Sequence, residues 1–249
     1  MTGRTILAGL LFGAALAACA ALCGGCTSLA TNVRQVESND PNVRRQGVES
    51  IARNPGAKRY PKVRELLCLV ARSDPDPQVR GAACRALGRN EGEGVIDTLT
   101  HVLENDREPY VRVDAVAGLA MHRGPEAIPP IAKALAQDPS LDVQVAAAQA
   151  LRKYKERSAA DALVGGVGAS NIAVAQNSWE SLRYMTGQNL PRDPDPWKQY
   201  LKSTQKPFAR YGRPPPLPKG EDQRPFVVRG PADAVKDLFK EDVREGELK

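Results

Sequence analysis

Five valines, Val43, Val79, Val111, Val143 and Val174, recur at intervals of 36, 32, 32 and 31 residues. Each heads the same short pattern. Eight residues on stands a large apolar residue: Ile51, Leu87, Leu119, Leu151 and Leu182. At offsets four and seven the residues are small: Gly47 and Ser50, Ala83 and Ala86, Ala115 and Gly118, Ala147 and Ala150, Ser178 and Ser181. Offsets of zero, four and eight fall on one face of an α-helix, about one turn apart. The valine and the leucine bury apolar area, and the small residues let a neighbouring helix come close. A fixed period of this length marks a repeat architecture, in which units stack on their neighbours.

The front of each copy is a helix start. Asp40–Pro41, Asp76–Pro77 and Glu108–Pro109 put an acid at the cap and proline at the first helical position, where a missing N–H costs nothing. Copies four and five begin "SLDV" and "NIAV" without the proline. A second helix follows in each copy. In copy two it is expected over about 93–105, with Ile96, Leu99 and Leu103 in line; in copy three Ile128, Ile131 and Leu135 take those places, with Pro129 and Pro130 in the first turn. In copy four, Gly165, Gly166 and Gly168 predict a short or frayed helix. Few aromatics, at 5%, and abundant alanine suit close helix packing and argue against a large β-sandwich.

The motif "DPxVR" followed by "AxxAL" resembles the HEAT-repeat family, in particular the short bacterial units also found in phycobilisome-lyase proteins, over residues 39–203. The resemblance implies an all-α fold, an α-solenoid of about five helix pairs with a proline-rich C-terminal tail. Arginine follows the valine at Arg44, Arg80 and Arg112, with Gln144 in copy four. The family commonly has an acid six places before that arginine. Asp74, Asp106 and Asp138 match and Ser38 departs. In the family this ladder is structural and ties units together; as exposed pairs, each is expected to contribute only about 0–1 kcal/mol. The last copy closes differently. Gly187 reads as a C-cap, Asp195 as the N-cap of the final helix with Pro196 in its first turn, and Trp179 and Trp197 as an apolar end cap; the arrangement is similar to terminal units of bacterial envelope HEAT proteins.

Before the array, "MTGRTILAGLLFGAALAACAALCGGCTSLA" has a single basic residue, Arg4, then an apolar run ending in small residues, the layout of a secretory signal. "LAAC" resembles the bacterial lipobox and makes Cys19 a lipid acceptor; "CGGC" offers Cys26. An uncleaved membrane helix is the other reading, since the run is near the roughly 20 residues that span a bilayer. Residues 1–26 are thus a lipoprotein-type signal segment and 27–38 a short linker. Cys68 and Cys84 read as two buried thiols, or as one bridge in an oxidising envelope. After the array, residues 204–231 are proline-rich and expected to be extended and mobile. Residues 232–249 are a charged tail in which Val235, Leu238, Phe239 and Val243 have helical spacing.

The net charge of +6 is spread along the chain with acids interleaved, which reads as a solvated surface and not as a nucleic-acid groove. The sequence offers no nucleophile–base pattern, paired-carboxylate motif, phosphate loop or metal-ligand spacing, so no catalytic residue, cofactor, metal or small-molecule substrate is assigned. The expected function is a non-enzymatic interaction scaffold of the bacterial cell envelope. It is held to the membrane by an N-terminal lipid on the exported side and binds an envelope protein or peptide. The alternatives are a binder of anionic cell-wall polymer and a lyase-like enzyme. In a right-handed stack of helix pairs the second helices line the concave side, so Lys62, Arg64, Thr100, His101 and Lys133 are the candidate partner-binding residues, with Phe239 as a separate handle.

Overall fold

The computed structural model describes residues 28–216. The signal segment with Cys19 and Cys26, and the tail with Phe239, lie outside the described residues. Eleven α-helices are present among the described residues, and there are no strands. They are α1 (Leu29–Val36), α2 (Pro41–Arg53), α3 (Pro61–Ser73), α4 (Pro77–Leu87), α5 (Val95–Asn105), α6 (Pro109–Leu119), α7 (Ile128–Gln137), α8 (Leu141–Leu151), α9 (Arg157–Val167), α10 (Ile172–Thr186) and α11 (Pro194–Ser203). The chain divides into two compact units between Thr98 and Leu99, inside α5.

In the first unit, α1 packs on α2 and α3 on α4, while α2 and α4 lie side by side. Each of these pairs is an antiparallel hairpin closed by a short turn, and in both the turn ends in the Asp-Pro start signal. Asp40 accepts the Asn42 N–H at 2.8 Å, and Asp76 accepts the N–H groups of Gln78 and Val79. The tight hairpin therefore joins the second helix of one copy to the first helix of the next. This corrects the expectation that residues 27–38 are a linker. Ser28 caps α1 by accepting the Thr31 N–H, and α1 supplies α2 with the partner that α4 receives from α3 of the copy before it. Gly47 is the contact. A Cβ there would sit 2.8 Å from Gln35 Cβ and 2.9 Å from the Asn32 carbonyl. Val79 and Leu87 are fully buried, as is Ile51. Val43 is only half-buried, because among the described residues no earlier first helix lies beside α2.

In the second unit the first helices α6, α8 and α10 are neighbours, and the second helices α7, α9 and α11 are neighbours; α7 pairs with α8 and α9 with α10. Val111, Val143, Val174, Leu119, Leu151 and Leu182 are fully buried. Burying one such side chain contributes roughly 1.5–3 kcal/mol. Two expectations are corrected here. α9 is a complete helix of 11 residues, not a frayed one. Gly166 is what lets α10 close on it, since a Cβ there would meet Ser178 Oγ at 2.2 Å. The N-cap of α11 is Asp193, with Pro194 at the first position, and Asp195 falls inside the first turn. Gly187 does close α10, in the left-handed conformation at φ 67°.

The acid–arginine ladder joins successive copies, and the fourth correction is that its pairs are buried. The Arg44 Nε and Nη2 groups donate to both oxygens of Asp74 at 2.8 Å, and Arg112 grips Asp138 at 2.8 and 2.7 Å. The arginine thus reaches forward to the acid of the next copy. It also turns back to a backbone carbonyl six places earlier: Ser38 for Arg44, Asp74 for Arg80, Asp106 for Arg112. Gln144 makes the same backward bond to Asp138. These pairs are not exposed, for the Arg112 and Asp138 side chains are 9% and 6% accessible.

The C-terminal part of the described chain also differs from expectation. Residues 204–216 are not an extended mobile linker but a strap folded back on α10. Gly212 N–H donates to the Tyr184 carbonyl, Tyr211 meets the Tyr184 ring edge to face at 5.3 Å, and the Tyr211 hydroxyl donates to the Arg152 carbonyl. Arg183 donates to the carbonyls of Pro215 and Pro216. Trp179 and Trp197 are buried beneath this end and donate their indole N–H groups to the carbonyls of Leu190 and Pro191.

Candidate functional site

The expected partner-binding residues fall into two groups, one in each unit. Lys62 is exposed in the first turn of α3. Arg64 does not project into solvent. Its guanidinium lies over the 91–94 loop, so close that a Cβ on Gly92 would come within 2.7 Å of Nη1, and its Nε is buried without a hydrogen-bond partner. In the second unit Thr100 is half-buried, and the exposed His101 lies with its Nδ1 at 3.4 Å from the Asn105 amide. Lys133 reaches from α7 to Glu104 on α5 and donates at 2.7 Å. That pair crosses a cleft of about 160 Å³ floored by Leu103, Pro130 and Ala134. The cleft is large enough for one side chain of a partner, with an acid and a base already paired at its rim.

Two features escaped the sequence reading. The first is an apolar edge on the second unit. Leu141 and Ile172 occupy the first position of α8 and α10, where earlier copies have proline, and they are 49% and 80% exposed. Tyr110, in the first turn of α6, is exposed as well. Helix starts are usually polar, so two large aliphatic residues in water at successive starts are not explained by the fold. The missing prolines of copies four and five were the available signal. The second is the turn between α2 and α3. From Arg53 to Arg64 it carries five cations and no acid.

Electrostatics separate scaffold from surface. The hydrogen bonds that Arg112 donates to Asp138 raise its pKa above its ordinary value against the cost of burial, and those to Asp74 do the same for Arg44. These arginines are consumed by the stack and offer nothing to an incoming anion. Cys68 and Cys84 are not bridged. Among the described residues no three His, Cys, Asp or Glu side chains gather to hold a metal ion. No helix among them is long and apolar enough to cross a membrane.

Paired helices stacked at a fixed period, with shallow clefts between copies, define the class as an α-solenoid of helical repeats. The chain belongs to the HEAT-repeat family, which it matches over residues 29–112 and 96–183. Arrays of this family are in general protein-interaction scaffolds. Two crystal structures of engineered proteins are similar to it at 20% identity. One alignment covers 64% of this chain and 79% of that chain with a TM-score of 0.47, and the other covers 67% and 84% with a TM-score of 0.48. No curated protein matches the sequence.

Proposed function

We propose that this protein is a non-enzymatic, membrane-anchored scaffold of the bacterial cell envelope that binds another protein or a peptide on the surface of its second unit. The observation that carries the binding part is the apolar edge formed by Tyr110, Leu141 and Ile172 at successive helix starts. Exposed apolar side chains repeated along one edge suit a protein partner better than an anionic polymer. The cleft bridged by Lys133 and Glu104 adds a small apolar-floored pocket with a charged rim on the same unit. Anchoring and address rest on the sequence of the first segment: Arg4, the apolar run, and Cys19 or Cys26 as lipid acceptor.

Affinity purification from detergent-solubilised envelopes tests the binding reading. Leu141→Glu with Ile172→Glu should abolish partner recovery and leave the helical circular dichroism signal intact. Recovery through a protein contact should survive high salt, whereas an anionic polymer held by charge is released. Binding that survives these substitutions but is lost on truncation after Pro216, which keeps the strap, would move the site to the tail with Phe239.

A further inference from the structure

The turn between α2 and α3 is built as a rigid basic platform. Its 3₁₀ segment, Ala57–Arg59, is pinned by the buried Ala57. The Ala57 N–H donates to the Asn54 carbonyl, and the Gly56 N–H donates to Asn54 Oδ1. On that base Arg53, Lys58, Arg59 and Lys62 are all exposed, and no acid lies between Glu49 and Glu65. Arg53 alone is paired, to Glu49 at 3.2 Å. Tyr60 stands among the cations at 55% exposure. The neighbouring turn has no such excess, since Glu91 and Glu93 offset Arg85 and Arg89. Clustered Lys and Arg beside an exposed tyrosine are the composition of a membrane–water interface.

Topology places this platform where the N-terminal chain arrives. α1 and α2 form an antiparallel hairpin through residues 37–40, and Gly47 fixes α1 alongside the middle of α2. The N-terminus of α1 and the C-terminus of α2 are therefore at the same end of the first unit, and that end carries Arg53, Lys58 and Arg59. From Cys26 to Ser28 the chain reaches roughly 7 Å at most, and from Cys19 roughly 30 Å. Screening in physiological salt acts over about 8 Å. A lipid on Cys26 thus holds the start of α1, at the end of the first unit that carries the platform, within about 7 Å of the anchored residue, and one on Cys19 leaves a longer tether.

We infer that this turn is a docking face for anionic phospholipid headgroups, which seats the first unit on the bilayer beside its own anchor. The inference rests on the membrane-anchored reading above. An acidic protein would match the same charges, but only the bilayer is delivered to this end of the molecule by the chain itself.

The test uses the full chain, purified in detergent and placed in nanodiscs of phosphatidylcholine alone or with phosphatidylglycerol added. Hydrogen–deuterium exchange at residues 54–62 should slow by about fivefold or more in the anionic discs, and high salt should reverse the protection. Lys58→Glu with Arg59→Glu should remove the difference while the circular dichroism signal stays unchanged. Equal exchange in both discs, or full protection in the double variant, overturns the inference. Protection that persists in high salt and in neutral discs containing a captured acidic protein would also overturn it, by making that protein the occupant. Intact mass of the same preparation reads the anchor separately. An unmodified Met1 chain overturns the lipid anchor, and the exchange result then decides the docking face by itself. A lipidated chain without protection keeps the anchor and sinks the docking face.

Discussion

A single aspartate, Asp74 in the first unit and Asp138 in the second, closes three connections at its junction of the array. In the second unit Asp138 accepts the Ser140 N–H at 2.8 Å, receives both arms of Arg112 from the copy before, and offers its carbonyl to Gln144 of its own copy. Removing one charge leaves the other buried and unsatisfied, the costly case for an ion pair. Arg112→Met should therefore lower stability by about 3 kcal/mol, and Asp138→Leu by a similar amount. The double variant should be milder than the sum, since no charge is then stranded. Denaturant unfolding of the three chains checks this, and strict additivity would show that the pair is not coupled. The sequence pattern pointed to the right residues and to their role between copies, but neither to which acid each arginine takes nor to the burial of the pair. Only the stack brings Asp138 to an arginine 26 residues earlier, and spacing along one copy cannot encode that.

At the scale of elements, α9 shows why a glycine-rich stretch was misread. Intrinsic propensity counts Gly165 and Gly166 alike, each costing up to about 1 kcal/mol against alanine. Packing separates them. A Cβ on Gly165 meets nothing within 4 Å, whereas one on Gly166 meets Ser178 Oγ at 2.2 Å and Leu135 Cδ2 at 3.2 Å. Gly165→Ala should raise stability by about 0.5–1 kcal/mol in a thermal melt. Gly166→Ala should lower it, because α10 must move away. Ser178→Ala should recover part of that loss, for the Ser178 hydroxyl is buried without a hydrogen-bond partner and its removal opens the contact. If both glycine variants stabilise alike, α9 and α10 are not packed through Gly166. The first copy failed for the opposite reason. α1 has two buried residues, Asn32 and Val36, too few to show a helical stripe, so its helicity is set by the groove on α2 that it fills.

For the whole molecule, the interior copies were legible in the sequence and the ends were not, because only interior copies share one environment. A terminal unit must cover a face that no neighbour covers, and each end does so with residues outside the period. The N-terminal cover is α1. At the C-terminal end it is the strap over α10, whose prolines had suggested a free linker. Besides its hydrogen bonds to the Tyr184 and Arg152 carbonyls, the strap is held by Tyr211 on Tyr184, Lys155 over the Tyr211 ring at 4.6 Å, and Arg183 on the proline carbonyls. Burial raises the Tyr211 pKa above its ordinary 10.0, with Tyr184 adding to the shift and Arg152 opposing it. The folded state therefore prefers the neutral phenol more than the unfolded chain does. The tyrosine's contribution is complete below pH 10.0 and is lost as pH rises through the raised value. Melting temperatures followed from about pH 9 to about pH 11 should fall more steeply for the natural chain than for Tyr211→Phe, which has no proton to lose. At neutral pH the same variant should cost about 1 kcal/mol, from the lost hydrogen bond to the Arg152 carbonyl. Tyr154, whose pKa is also raised by burial, contributes equally to both chains and cancels in the comparison. Parallel curves would mean that the Tyr211 hydroxyl is already in water and that the strap does not close this end of the array.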